Sequence, residues 1–212
     1  MRNGRTPSRR LRARRGEGGQ LRDDLVAATE KLLATTGDED AVSIRAIADA
    51  VGVSPPAIYL HFPDKDALIF EVCAARFAEL DRAVEEAAAG IDDPVESLIE
   101  RGRAYVRFGV EHPEQYRVLF LRRGSRRKLD ADKLRTTAAF GNLVAAVEHG
   151  QEAGAIPAAV DSIGVAMELW AVAHGVASLL IGVHDFPWPD DFADRVLKTY
   201  VRGLTSAAVT SS

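Results

Sequence analysis

The chain has 212 residues, 47% of them hydrophobic and 27% charged, a composition that is ordinary for a globular protein and excludes a disordered or fibrous one. Its single cysteine, Cys73, excludes an intramolecular disulfide and a cysteine-based zinc cluster, and it fits a reducing cytoplasm. No apolar run reaches the roughly 18 residues of a membrane span, so we expect a cytoplasmic protein without a membrane segment.

Charge is distributed unevenly along the chain. The formal net charge is −4, yet residues 1–15 contain seven arginines and no acidic residue. A basic N-terminal segment on a chain that is otherwise acidic favours contact with an anion such as nucleic acid. Taken alone, the segment is equally compatible with a solvated tail. We therefore predict a flexible basic arm over residues 1–20 and leave its contact with DNA open.

The elements after the arm are predicted helices. Apolar residues share one face over residues 22–36, which predicts a helix that ends at Gly37. Two short helices follow within residues 43–62, and a long helix is predicted over residues 65–89.

Capping residues, glycines and prolines also divide the rest of the sequence into helix-length segments. Asp93 is a good N-cap, with Glu96 placed to complete a capping box, and the helix they begin should stop before Pro113. No stretch alternates with period two, so the fold class is all-α with about nine helices. The later helices are predicted over residues 114–121, from the polar stretch 122–128 through Phe140 to about Gly150, from the cap Asp161 to about Val183, and over residues 190–204.

The segment from Ser43 to Phe62 has the pattern of a helix-turn-helix. Ile44 and Ile47 lie on the buried stripe of a first short helix, Gly52 stands at the turn, and Ser54 can cap a second helix. A plain αα-hairpin is the alternative, but hydrogen-bond donors surround the second helix and suit phosphate oxygens and base edges. The predicted DNA-contact residues are Ser43, Arg45, Ser54, Pro55, Pro56, Ala57, Tyr59, His61 and Lys65.

The run from Ser43 to Leu68 resembles the TetR family of regulators. The resemblance rests on Val51-Gly52-Val53-Ser54, Tyr59, His61-Phe62 and Lys65-Asp66-Ala67-Leu68. It implies that Tyr59, His61 and Lys65 contact DNA phosphate or pack beneath it, and that Phe62 packs. Two positions depart from the usual pattern, because Ser43 replaces a threonine and Leu60 replaces an often polar residue.

The C-terminal part resembles a TetR subgroup with a Trp-x-x-x-His-Gly motif, here Trp170 to Gly175. The resemblance implies that the last two helices pair with those of a second subunit, and a helix that is apolar nearly all round needs two buried sides. Gly164, Ala171 and Gly175 would permit close approach. The predicted dimer-interface residues are Leu169, Val172, Val176, Leu180, Val196 and Tyr200.

The resemblance also implies a small apolar effector. Most aromatic residues of the C-terminal part are equally compatible with core packing, and His174 with a satisfied buried histidine, but some must line a cavity if an effector binds. The candidate pocket residues are Tyr105, Phe108, Tyr116, Phe120, Phe140, Met167, Trp170 and His174. No spacing of histidines predicts a metal, and no cofactor is predicted.

We therefore expect a homodimeric DNA-binding regulator, by family default a repressor that a ligand releases from a palindromic operator. The alternatives are an architectural DNA-binding protein without effector, or an enzyme that uses the same cavity; no catalytic set of residues supports the enzyme. The predicted organisation is an arm over residues 1–20, a DNA-binding domain over 21–68, an effector and dimerisation domain over 69–205, and a disordered tail over 206–212.

Overall fold

A computed structural model describes residues 17–120 and 138–206. These residues form nine helices and no strand, which confirms the all-α prediction. The basic stretch 1–16, the polar stretch 122–128 and the tail 207–212 lie outside the described residues. The helices are α1 Glu17–Thr36, α2 Ile44–Val51, α3 Pro55–Ile58, α4 Lys65–Ala88, α5 Pro94–Glu111, α6 Pro113–Phe120, α7 Ala138–Glu152, α8 Ser162–Gly182 and α9 Phe192–Ser206.

Side-chain caps define where three of the longer helices begin. Asp64 caps α4 by accepting a 2.7 Å hydrogen bond from the amide of Ala67. Asp93 accepts from two amides at the start of α5, and Asp161 does the same for α8. These bonds satisfy amides that have no partner within the helix. The carboxylate of Glu96 accepts a hydrogen bond from Arg103 at 2.7 Å, so it serves an ion pair within α5.

The first four helices share an apolar core with one residue of α6. Leu25 of α1, Ile47 of α2, Ile58 of α3 and Leu68 of α4 are fully buried there, and Val118 of α6 closes the cluster. The early part of α4 therefore belongs to the same packed unit as the two short helices.

Two further cores occupy the C-terminal part. One joins α4, α5, α6, α8 and α9, and the other joins α5, α7, α8 and α9. Helix α5 approaches α9 closely at Gly102, where an added Cβ would lie 2.7 Å from a Leu197 methyl carbon. Larger residues at this position would have to displace Leu197.

Helix α8 corrects the expectation that no segment could span a membrane. It is 21 residues long and contains an 18-residue window with a mean hydropathy of 1.6, which is enough in length and composition to cross a membrane. One side of α8 packs into both C-terminal cores through residues such as Val165, Leu169 and Val176. The mean hydropathy of α8 is high because its other side is apolar as well.

Candidate functional site

The turn between α2 and α3 has the geometry of a helix-turn-helix. Gly52 ends α2 in the left-handed region, with φ 80° and ψ 30°, where residues with a side chain are strained. Its amide donates to the carbonyl of Ala48 at 2.9 Å, and Ser43 caps the start of α2 by accepting from the amide of Ala46 at 3.1 Å. Buried Ile47 and Ile58 hold the two helices together.

Each of the predicted DNA-contact residues is at least partly accessible to solvent. Tyr59 is 54% exposed, and the hydroxyl of Ser54 makes no capping bond. A side chain must be accessible to contact DNA, so this exposure permits the contacts, which stay predictions. The exposed members are Ser43, Arg45, Ser54, Pro55, Pro56 and Tyr59, and the half-buried members are Ala57, His61 and Lys65.

Lys65 and Phe62 have partners inside the protein. The ammonium of Lys65 donates a 2.9 Å hydrogen bond to the backbone carbonyl of Glu39, which joins the start of α4 to the loop after α1. Phe62 is buried, and the guanidinium of Arg22 lies 5.0 Å from the centre of its ring. The packing role predicted for Phe62 is confirmed. Lys65 has a structural role in addition to the predicted phosphate contact.

The C-terminal helices line an apolar cavity of about 90 Å³ that is partly open to solvent. Its walls come from α4, α5, α7, α8 and α9, together with the last residue of α6. The residues that line it are Phe77, Leu80, Asp81, Val84, Glu85, Leu98, Arg101, Gly102, Tyr105, Phe120, Ala139, Phe140, Leu143, Leu169, Trp170, Ala173 and Leu197.

A polar network lies behind one wall of the cavity. The hydroxyls of Tyr116 and Tyr105 lie 2.6 Å and 3.2 Å from Nδ1 of His174, and Nε1 of Trp170 donates to the Tyr105 hydroxyl at 3.2 Å. Burial lowers the pKa of His174, so the neutral ring predominates at pH 7. Burial also raises the pKa of Tyr105, which stays protonated. The network fixes the aromatic wall.

The cavity contains half of the predicted pocket residues. Tyr105, Phe120, Phe140 and Trp170 line it, whereas Tyr116 and His174 stand behind its wall. The prediction is wrong for the other two. Phe108 packs on the ring of His112 with centroids 5.1 Å apart, and Met167 is 54% exposed on the outer side of α8.

Sequence reasoning missed the wall that α4 contributes. Phe77, Leu80 and Val84 recur at helical spacing, and acidic Asp81 and Glu85 fall beside them. Asp81 accepts hydrogen bonds from the Asn142 amide at 3.1 and 3.3 Å, and Glu85 forms an ion pair with Arg101. Acidic residues within an apolar stripe were the available signal.

The predicted dimer-interface residues pack toward the protomer's own cores, and their contact with a second subunit stays a prediction. Leu169 and Val176 are buried in the protomer's own cores, and Val172, Leu180, Val196 and Tyr200 pack against those cores. The exposed side of α8, the outer face, carries Met167, Ala171, Leu179 and the following C-cap residue Val183, with Gly175 between them. Among residues 17–120 and 138–206, apart from the neighbouring backbone of α8 itself, nothing lies within 4 Å of a Cβ added at Gly175.

Two family models match the chain. Residues 25–72 match the bacterial regulatory proteins of the tetR family, and residues 98–204 match the tetracyclin repressor-like C-terminal domain. The first match contains the helix-turn-helix and the start of α4. The second spans half of the chain and includes α5 to α9.

Individual proteins with similar sequences or structures agree with these matches. The HTH-type transcriptional regulator EthR of Mycolicibacterium smegmatis is 30% identical over 107 residues, which span 50% of this chain and 45% of that protein. A TetR family transcription regulator from Marinobacter aquaeolei VT8 superposes with a TM-score of 0.71 at 21% identity, covering 89% of this chain and 97% of that one. A protein of unknown function from Rhodococcus sp. RHA1 gives 0.70 at 28% identity, covering 87% and 95%.

Proposed function

Since the chain belongs to the TetR family of bacterial regulatory proteins, it is a DNA-binding transcriptional regulator, and we propose that it represses transcription as a ligand-released homodimer. The dimer binds a palindromic operator in the cytoplasm and leaves it when a small apolar molecule enters the cavity. The basic residues before α1 act as an arm, the segment from α1 to Leu68 binds DNA, and the rest up to the end of α9 binds the effector and the second subunit.

The observation that carries this proposal is the position of α4. Leu68, Ile69 and Val72 pack in the core of the helix-turn-helix, and Phe77, Leu80 and Val84 form a wall of the cavity. Leu68 and Asp81 are separated by about 20 Å along the helix axis. A ligand that pushes this wall outward therefore moves the helix that supports the DNA-contact surface.

The outer face of α8 supports the homodimer. An apolar helix face that is exposed in a single chain is typical of an interaction surface. Small residues such as Ala171 and Gly175 allow another helix to come close. The Trp170 to Gly175 motif, with its histidine in the network behind the cavity, supports assignment to the Trp-x-x-x-His-Gly subgroup. We infer that the outer faces of two chains pack together.

Two linked subunits present two copies of α3 to DNA. In dimeric helix-turn-helix proteins the half-sites lie about 34–36 Å apart, one turn of the duplex, so affinity depends on the distance between the recognition helices. Because α3 offers prolines, an alanine and a tyrosine, apolar contacts to thymine methyls and DNA shape contribute much of the specificity. Movement of α4 would change the distance and release the operator.

Footprinting of the DNA upstream of the protein's own coding region tests this function. We expect a protected palindrome, with a protein dimer bound at saturation. A protein that coats this DNA without a preferred site would favour the architectural alternative and contradict the proposal.

A further inference from the structure

The charged residues that line the cavity are not balanced. Arg101 pairs with Glu85, which leaves the carboxylate of Asp81 as the surplus charge. Among residues 17–120 and 138–206, Asp81 forms no ion pair, and its hydrogen bonds come from the neutral amide of Asn142. An apolar ligand that displaced water from this carboxylate without pairing with it would pay a desolvation cost.

The uncharged part of the lining also attracts positive charge. Five of its residues are aromatic: Phe77, Tyr105, Phe120, Phe140 and Trp170. The faces of aromatic rings are electron-rich and bind organic cations at short distance, more strongly where water is excluded. Aromatic faces and one unpaired carboxylate are complementary to the same type of ligand.

From these observations we propose that the cavity binds a lipophilic cation, a small organic amine whose ammonium group pairs with Asp81 and whose apolar body lies among the aromatic rings. This inference rests on the proposed function, because it names the effector class of the same cavity. The ammonium group donates hydrogen bonds to carboxylate oxygens of Asp81, and the Arg101–Glu85 pair stays intact.

An anionic ligand fits the same cavity poorly. A head group that binds Nη1 of Arg101 displaces Glu85 and leaves that carboxylate half-buried and unpaired, a costly arrangement. It would also lie in the repulsive field of Asp81. A cation binds without breaking the Arg101–Glu85 ion pair.

The size of the cavity links binding to movement of α4. Ligand pockets commonly measure about 300 to 1,000 Å³, whereas this cavity measures about 90 Å³. A ligand must therefore displace part of the wall. Because Asp81 lies on α4, the ligand pairs with the helix that the proposed release mechanism moves.

Three probes with one body and different head groups test the proposal. 4-Phenylbutylamine is a cation at pH 7, 4-phenylbutyrate an anion and 4-phenylbutanol neutral. Calorimetric titration of the full chain should show the amine binding about 10- to 100-fold more tightly than the alcohol, the range expected for a charged hydrogen bond. We expect the butyrate to bind most weakly. Equal affinities, tighter butyrate binding or no binding of the amine would overturn the proposal.

Variants on α4 show whether Asp81 carries the preference. Asp81→Asn removes the charge and keeps the shape, so the amine should retain at most about a threefold advantage over the alcohol. Glu86→Gln removes a charge on the same helix where the side chain is 73% exposed, and it should retain the full preference. Retention of the preference by Asp81→Asn would overturn the assignment.

Operator binding without ligand is measured on the same samples. An Asp81→Asn protein that binds operator normally is folded, so its probe affinities report on the cavity. If the parent binds operator as a dimer but does not prefer the amine, the cation proposal fails and the proposed function stands. If the parent is monomeric or has no preferred DNA site, the proposed function itself fails.

Discussion

The helix-turn-helix and the C-terminal helices place their candidate functional residues in opposite locations. Around α3 the core is filled by buried residues such as Ile47 and Ile58, and the candidate contacts lie on the surface. In the C-terminal part the candidate ligand contacts lie in the interior, where packing is incomplete. The first unit can bind a large rigid duplex without rearranging. The second must change shape to admit a ligand, and α4 belongs to both.

The largest effect is expected on the outer face of α8. Leu179→Arg places a charge where a second subunit is proposed to pack, so the dimer should dissociate. Loss of one of two linked half-sites should weaken operator binding by about 1,000-fold or more, to the level of non-specific binding. Sedimentation and fluorescence anisotropy measure the two changes.

The matched control is Val110→Arg, which changes an apolar residue of similar exposure on α5. Val110 is 48% exposed and Leu179 is 44% exposed. The control protein should remain dimeric and bind operator like the parent. A dimeric Leu179→Arg protein would contradict the packing of the outer faces.

The arm provides the next largest effect. Residues 21–68 contain four basic and nine acidic residues, so the DNA-binding unit is itself acidic, and the seven arginines of residues 1–15 directly precede it in the sequence. If each arm engages about three phosphates, deletion of residues 1–15 should reduce the slope of log K against log salt by about five for a dimer.

Salt titrations with specific and unrelated DNA distinguish two roles for the arm. A backbone-tracking arm should raise affinity for both DNAs and leave the preferred operator unchanged. Equal slopes for the deleted and full-length proteins would identify the arm as a solvated tail.

Tyr59 tests the surface of the helix-turn-helix with a smaller effect. Tyr59→Phe removes the hydroxyl predicted to reach a phosphate, and operator affinity should fall by about tenfold. The midpoint of thermal unfolding should be the same as in the parent, because the side chain is 54% exposed. A variant that binds as tightly as the parent at the same salt would show that α3 has another orientation on DNA.

His174 tests the interior through pH, with the smallest expected effect. Burial lowers its pKa in the folded protein, so folding favours the neutral ring. That stabilisation is present above the unfolded pKa of about 6.5 and is lost as pH falls through the folded value. Denaturant titrations at pH 7.5 and 5.5 should show a larger loss for the parent than for His174→Gln. If the parent and His174→Gln lost the same unfolding free energy between these pH values, His174 would not be the source of the pH dependence.

Local signals in the sequence predicted helix ends well. Asp93 and Asp161 were recognised as caps, and the start of α4 at Lys65 was predicted correctly. Helix α1 begins at Glu17 rather than near residue 22, and its first turn includes Gly18 and Gly19 although glycine is disfavoured in helices. Caps and turns depend on a few neighbouring residues, which is why they can be predicted.

The side of α8 that faces the core could not be predicted from the same information. Both stripes of the helix are apolar, so the periodicity identifies them but does not show which one faces the core. Contacts with α5, α7 and α9 decide the direction, and these come from residues far apart in sequence. The cavity wall on α4 was missed for the same reason.

The most direct test of the coupling between cavity and DNA-contact surface is operator affinity measured against the concentration of a cavity ligand. A suitable ligand binds the parent but not Leu143→Trp, which fills the cavity from α7. We predict that saturation weakens operator binding by about tenfold or more, and that operator weakens ligand binding by the same factor, as linkage requires. A ligand that meets this criterion and leaves operator affinity unchanged at saturation would contradict the account.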